Sequence, residues 1–84
     1  MRITVISPER AIYDGDATAV RAPAYDGLVG ILPGHAPFVT LLGEGVLTVE
    51  NGGERHEFQV RQGFLQVVEG VVRVVAEHAE KSKA

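Results

Sequence analysis

Apolar and polar residues alternate with a period of two along most of the chain, and this pattern predicts β-strands. Ile3 and Val5 alternate with polar neighbours before the chain reaches a turn at Ser7. Residues 16–23 alternate again, and residues 38–42 are rich in strand-forming side chains. Val, Ile and Thr make up 21 of the 84 residues, and such β-branched side chains pack well on a pleated surface. We therefore predict an all-β sandwich or barrel.

Turn residues divide the remaining strands. Asn51-Gly52-Gly53 separates residues 46–50 from residues 54–61, and such residues tolerate the positive φ values of primed hairpin turns. Glu69-Gly70 separates residues 63–69 from residues 71–77 in the same way. The sequence thus predicts two successive hairpins in its second half.

Composition limits the chain to one small domain, which we predict at residues 1–80, followed by a polar tail at 81–84. The polar end is expected to fray from residue 77 onward. A net charge of −3 without a basic stripe argues against nucleic-acid binding. The chain has no cysteine, no apolar stretch long enough for a membrane helix and no signal-peptide pattern. We expect a soluble protein that is not exported and reaches a membrane only through a partner.

Little in the sequence points to catalysis. His35 is the first candidate acid, base or ligand, but His56 and His78 lie at unrelated spacings, so we expect a structural or interface role for His35. Asp14 and Asp16 flank a glycine after a short strand at residues 12–13, which favours a turn over a pair of catalytic carboxylates.

The glycines of residues 27–30 have no lysine to complete a phosphate-binding loop. Neither serine suggests a nucleophilic triad. We therefore expect no autonomous enzyme, no cofactor, no metal and no small-molecule substrate. A small hydrolase built on His35, with Asp26 as orienting acid, is the enzymatic alternative.

Residues 28–42 are unusually rich in apolar side chains. The segment contributes eight of them: Leu28, Val29, Ile31, Leu32, Phe38, Val39, Leu41 and Leu42. Either all of them fill the core, or some face a partner. A free-standing β-sandwich module that binds a protein through residues 24–42 is one function that this segment favours.

Several motifs together resemble a known family. The order and spacing match in three early runs, Val5-Ile6-Ser7-Pro8-Glu9, Tyr13-Asp14-Gly15 and Gly30-Ile31-Leu32-Pro33-Gly34-His35-Ala36-Pro37. Later runs at residues 43–47, 63–67 and 72–77 follow the same order. The chain resembles the epsilon subunit of F-type rotary ATP synthases over about residues 2–80.

The resemblance implies a ten-stranded β-sandwich in the central stalk, a non-catalytic subunit that joins the gamma subunit to the c-subunit ring and couples proton flow to ATP synthesis. It places Ser7 and His35 against gamma. It places five residues against the c ring: Asp26, Gly27, Leu28, Val29 and Gly30. Four further residues would shape the turn around His35: Pro33, Gly34, Ala36 and Pro37.

Two departures from the family pattern matter. Leu28 stands where several members have an acidic residue, so Asp26 or apolar contact through Leu28 is expected to replace an ion pair with the ring. The chain also ends at Ala84, where a two-helix hairpin usually begins, and we expect no inhibition or ATP binding through that hairpin. The resemblance implies a peripheral position on the cytoplasmic face of the bacterial plasma membrane.

Overall fold

A computed structural model describes residues 1–82 and contains eight β-strands. The strands, in chain order, are β1 (Arg2–Ile6), β2 (Ala11–Asp16), β3 (Ala19–Ala24), β4 (Gly27–Ile31), β5 (Phe38–Leu41), β6 (Gly45–Asn51), β7 (Glu54–Val68) and β8 (Val71–Lys81). All neighbours are antiparallel except β1 and β8, which run parallel. The all-β prediction is confirmed.

Two long strands divide the structure into two layers, because each half of β7 and β8 has different neighbours. Residues 63–68 of β7 and 71–76 of β8 join β1, β2 and β5, in the order β2-β1-β8-β7-β5, which we call sheet I. The other halves join β3, β4 and β6, in the order β4-β3-β6-β7-β8, which we call sheet II. Each sheet thus has five strand segments. Because β7 and β8 each contribute one segment to both sheets, the eight strands give ten segments, the number that the family resemblance implied.

Strand β7 bends sharply where it leaves sheet II and enters sheet I. Gln62 has a φ of 56°, and the buried positions change there from Phe58 and Val60 to Leu65 and Val67. At Gly63 the two strands come so close that an added Cβ would lie 1.9 Å from the Val75 carbonyl oxygen. Glycine is therefore required at Gly63 by backbone proximity.

Side chains from both sheets form one apolar core. Its members share near-complete burial, and the largest are Ile3, Val5, Ile31, Leu47, Val49, Phe58, Val60, Leu65, Val67, Val72 and Val74. Tyr13 of sheet I covers one end of this core, with its ring centroid 5.6 Å from that of Phe58 and 5.0 Å from that of His56. These contacts hold the two sheets together as a β-sandwich.

The predicted hairpins are present. Gly52 and Gly53 connect β6 to β7 with φ values of 56° and 98°, so these two glycines, and not Asn51, supply the positive φ angles. Glu69 and Gly70 connect β7 to β8 with φ values of 49° and 79°. Both loops have two residues. The sequence pattern predicts three residues, 51–53, in the first loop, whereas Asn51 belongs to β6.

Two predictions near the chain ends are wrong. Asp14 and Asp16 do not form a turn but belong to β2, where Arg2 Nη2 lies 3.0 Å from Asp14 Oδ1 and Arg2 Nη1 lies 4.0 Å from Asp16 Oδ1. The polar end does not fray at residue 77, because β8 pairs with β7 as far as Lys81. Residues 83–84 lie outside the described residues, so the division into residues 1–80 and a tail at 81–84 stays a prediction.

Candidate partner interface

The β3–β4 hairpin reaches across from sheet II to the edge of sheet I. Tyr25 and Asp26 form its two-residue loop. The Tyr25 backbone N–H donates to the Leu41 carbonyl of β5 at 3.0 Å, and Gly43 N–H donates to the Pro23 carbonyl at 2.8 Å. These hydrogen bonds attach the hairpin to β5 and to Gly43 in the connection that follows it.

Four large apolar side chains are exposed where the hairpin meets β5. Tyr25 is 68% exposed, Leu28 73%, Val39 64% and Leu41 62%. Together with the partly buried Phe38 they surround a hollow of about 550 Å³, and we call these five residues the apolar rim. A continuous exposed apolar group of this kind is typical of a surface that binds a partner.

The apolar rim continues across the outer face of sheet I. Leu41 is paired with Phe64, Phe64 with Val75, and Val75 with Ile6. Phe64 and Leu41 are exposed, whereas Ile6 and Val75 are half-buried. This apolar row leads from the hairpin to the end of β1, next to Ser7.

His35 is held by a tight turn beside the apolar rim. Its backbone N–H donates to the Leu32 carbonyl at 3.1 Å, and Gly34 has a φ of 89°, as expected for a type II turn with Pro33 and Gly34 at its centre. His35 Nδ1 lies 2.7 Å from the Ala36 carbonyl oxygen. Because a carbonyl only accepts, Nδ1 donates there and Nε2 is left for another partner.

The ring of His35 also packs against the apolar rim. Its centroid lies 5.6 Å from that of Phe38, in an edge-on arrangement. Asp26 lies exposed in the β3–β4 loop, and the Ala36 carbonyl takes the position at Nδ1 that an orienting carboxylate would need. The hydrolase alternative, with Asp26 orienting His35, is therefore not supported by this geometry.

Ser7 lies in a different environment from His35. It is buried, and its hydroxyl donates to the Arg10 carbonyl at 3.3 Å. Two backbone hydrogen bonds between Ser7 and Arg10 close the same turn. Ser7 thus stabilises the β1–β2 connection and presents little of its own surface.

The predicted c-ring residues form a largely exposed edge. Asp26, Gly27, Leu28 and Gly30 are exposed, and Val29 is half-buried. Among residues 1–82, no group of three or more His, Asp or Glu side chains is placed to hold a metal ion. No helix in the same part of the chain has the length and apolarity to cross a membrane.

The apolar segment 28–42 is divided between core and surface. Ile31 and Leu42 are buried, whereas Leu28, Val39 and Leu41 are exposed, together with Leu32. The alternative that all eight side chains fill the core is therefore wrong, and the alternative that some of them face a partner stays a prediction.

Sequence reasoning missed the apolar row of sheet I and the part of Tyr25 in the apolar rim. The available signal was the change of alternation near Gln62. That change moves Phe64 to the outer face, where it is paired with Val75 of β8.

Comparison with known proteins agrees with the fold. Residues 1–82 match the family model for the β-sandwich domain of the ATP synthase delta/epsilon chain. The chain is 43% identical to the ATP synthase epsilon chain of Solibacter usitatus, over 99% of this chain and 62% of that protein. It is 37% identical to the epsilon chain of Caulobacter vibrioides, over 94% of this chain and 92% of that protein. The chain therefore spans about three fifths of the first of these relatives and nearly all of the second.

Solved structures give the same result. A chain in the cryo-EM structure of the Euglena gracilis mitochondrial ATP synthase, OSCP/F1/c-ring, superposes with a TM-score of 0.86 and 28% identity, covering 94% of this chain and 51% of that one. A chain of the Tetrahymena thermophila central stalk and c-ring superposes with a TM-score of 0.81 at 15% identity, over 95% of this chain and 65% of that one, which concerns the fold alone. The chain belongs to the family of ATP synthase delta/epsilon chains and forms the β-sandwich domain of that family.

Proposed function

We propose that this chain is the non-catalytic central-stalk subunit of a rotary F-type ATP synthase, which joins the gamma subunit to the c ring and so couples proton flow to ATP synthesis. One observation carries the proposal. A member of the ATP synthase delta/epsilon family has an exposed apolar rim that its own core does not need.

A sandwich of this construction suits a part that transmits torque. Two sheets share the continuous strands β7 and β8, so a force applied to one sheet passes to the other through covalent backbone and ladder hydrogen bonds. Close-packed protein interiors have low compressibility and transmit strain. An element that joins two rotating parts needs this stiffness.

The apolar rim suits a permanent interface better than a transient one. Fully burying a Leu, Val or Phe side chain contributes about 1.5–3 kcal/mol, and obligate interfaces are the more apolar class. Four of the five rim residues are largely exposed in the free chain, so most of this contribution is available to a partner.

For the individual contacts we keep the assignment that the family resemblance implied. His35, supported by the turn of Pro33, Gly34, Ala36 and Pro37, faces gamma and offers Nε2 as a hydrogen-bond acceptor. Ser7 acts at the same interface by shaping the β1–β2 turn. The edge at residues 26–30 faces the c ring, where Leu28 makes apolar contact and Asp26 supplies the only carboxylate.

The proposed position is peripheral, on the cytoplasmic face of the bacterial plasma membrane, with membrane contact made only through the complex. Neither nucleic acid nor a small-molecule substrate has a part in this function.

Affinity purification from membranes tests the proposal. A tagged copy of the chain, expressed in place of its own gene product, is expected to enrich the gamma and c subunits in detergent extracts. An extract in which the tagged chain is abundant but gamma and c are not enriched would contradict the proposal. That result would favour the free-standing module that binds another protein through residues 24–42.

A further inference from the structure

The four sheet edges differ in how well they are protected against pairing with another strand. β2 carries Asp14 and Asp16, and the edge part of β8 carries His78, Glu80 and Lys81. Charged side chains on an edge strand oppose strand addition. The β5 edge is partly covered, because Tyr25 N–H already donates to the Leu41 carbonyl.

Only β4 lacks such protection among the described edges. Its sequence, Gly27–Ile31, has no charged residue, no proline and no bulge in its pairing with β3. It ends the strand order of sheet II, so one side of its backbone has no strand beside it. An uncharged edge without proline or bulge can act as a template for an added strand.

The register identifies the backbone groups that face outward. Ala24 and Gly27 flank the two-residue loop and form the first hydrogen-bonded pair of the β3–β4 ladder. The Pro23 carbonyl and the Tyr25 N–H point away from β4, as this alternation requires. The N–H and C=O groups of Leu28 and Gly30 therefore point away from β3, towards the open edge.

Space and charge beside Gly30 suit an added strand. A Cβ placed on Gly30 would meet nothing within 4 Å. Next to it lies a hollow of about 250 Å³, lined in part by Arg21, Leu32, Thr48 and Glu50. Arg21 is paired with Gly30 across the ladder and forms no ion pair within residues 1–82.

We propose that the β4 edge pairs with an extended segment of a partner subunit, which places a carboxylate opposite Gly30 to meet Arg21. Main-chain hydrogen bonds to Leu28 and Gly30 supply affinity, and the alternate side chains supply specificity. The inference rests on the proposed function, in that the partner is a subunit of the same complex.

A second copy of this chain fits the edge less well. Antiparallel pairing of two β4 strands would set only glycine and apolar side chains opposite one another, because Gly27–Ile31 contains no charge. Asp26 lies in the β3–β4 loop outside this strand, so pairing confined to Gly27–Ile31 would bring no carboxylate to Arg21. The charge pattern therefore favours a different polypeptide.

Two substitutions of one residue provide the test. Gly30→Pro removes the outward N–H and leaves the β3–β4 hydrogen bonds, which use Gly27, Val29 and Ile31. Gly30→Ala changes the same position but keeps the N–H, and its Cβ meets nothing within 4 Å in the free chain, so the difference between the two variants reports the N–H. Both proteins are first checked for an unchanged unfolding transition and are then titrated with a gamma–c-ring subcomplex that lacks this chain.

Gly30→Pro is expected to bind about tenfold or more weakly than Gly30→Ala. Arg21→Glu is expected to weaken binding as well, with a smaller dependence on salt concentration than the unmodified chain shows. Hydrogen exchange supplies a second readout. The amides of Leu28 and Gly30 should exchange fast in the free chain and slowly in the complex.

The outcomes separate this inference from the proposed function. If the complex forms, but Gly30→Pro binds as well as Gly30→Ala and both amides stay fast, strand addition is wrong and the stalk function stands. If the unmodified chain does not bind the subcomplex, both are wrong. A dimer of this chain that Gly30→Pro abolishes would assign the edge to self-pairing and overturn the inference.

Discussion

Side chains of the same chemical kind have opposite positions in two regions of this protein. Phe58 and Leu47 lie in the core between the two sheets and are at most 1% exposed. Leu28 and Leu41 belong to the apolar rim and are 73% and 62% exposed. The core side chains hold the fold together, whereas the rim side chains gain most of their burial only when a partner covers them. Different apolar residues thus determine stability and assembly. Substitutions in the core should lower the free energy of unfolding, and substitutions in the apolar rim should weaken binding to the partner.

The largest expected effect is in the core. Phe58→Ala removes a buried ring that touches the Tyr13 ring of the opposite sheet, so both the transfer free energy and a cavity contribute. We expect a loss of about 3–5 kcal/mol in the free energy of unfolding, measured by urea titration. A loss below about 1 kcal/mol would show that this end of the sandwich is not a packed core.

The next effect concerns the corner between the sheets. Gly63→Ala would place a Cβ 2.7 Å from Ala76 Cα and still closer to the Val75 carbonyl, so β7 and β8 must separate. We expect a destabilisation of about 3 kcal/mol. Gly30→Ala is the control, because its Cβ enters open space and should change stability by about 0.5 kcal/mol at most. Equal stability of the two variants would contradict the close approach at the corner.

A smaller effect is expected at the turn before His35. Gly34→Val forces a β-branched residue to adopt a φ of 89°, which costs about 1–2 kcal/mol. Relaxation of this strain moves His35, so assembly with gamma should weaken as well. Gly30→Val serves as the stability control, since Gly30 does not have a positive φ. Unchanged stability and unchanged copurification of Gly34→Val would show that the turn does not position His35.

The surface ion pairs between Arg2 of β1 and the aspartates of β2 should contribute less to stability than the turn before His35. Arg2→Ala removes the contacts of Arg2 with Asp14 and Asp16. The side chains of all three residues are more than half exposed. Such pairs contribute about 0.2–1 kcal/mol, and salt screens them. The same urea titration at low and high salt checks this, and a loss well above 1 kcal/mol at high salt would contradict it.

Sequence reasoning reached the sandwich because local signals decide most of it. Alternation located β1 and β3, strand-forming side chains located β5, and the turn residues Asn51-Gly52-Gly53 and Glu69-Gly70 located both hairpins of the second half. It treated residues 54–61 and 63–69 as separate strands, because the corner at Gln62 interrupts the alternation that a single strand would show. The sequence also predicted a turn at Asp14-Gly15, because these residue types favour turns. In the structure they belong to a strand that pairs with β1 and contacts Arg2, which local preference does not reveal.

The candidate site was only partly accessible to the same reasoning. The density of apolar residues at 28–42 pointed to a surface for a partner, and Pro33-Gly34 indicated the turn at His35. Which side chains are exposed depends on how the β3–β4 hairpin crosses to β5, and no local pattern encodes that contact. Burial of Ser7 likewise follows from its turn with Arg10 and could not be deduced from residue type.

In the apolar rim, a small effect on stability should accompany a large effect on binding. Leu28→Ser combined with Leu41→Ser should change the free energy of unfolding by about 1 kcal/mol at most, because both positions are exposed. The same protein should bind a gamma–c-ring subcomplex at least about tenfold more weakly. Val71→Ser, at an exposed apolar position outside the apolar rim, is the control and should bind normally.

The decisive measurement is the affinity of this double variant for the subcomplex, determined together with its free energy of unfolding. Weak binding by a fully stable protein is expected. Binding as tight as that of Val71→Ser, or a loss of stability large enough to explain weak binding, would contradict it.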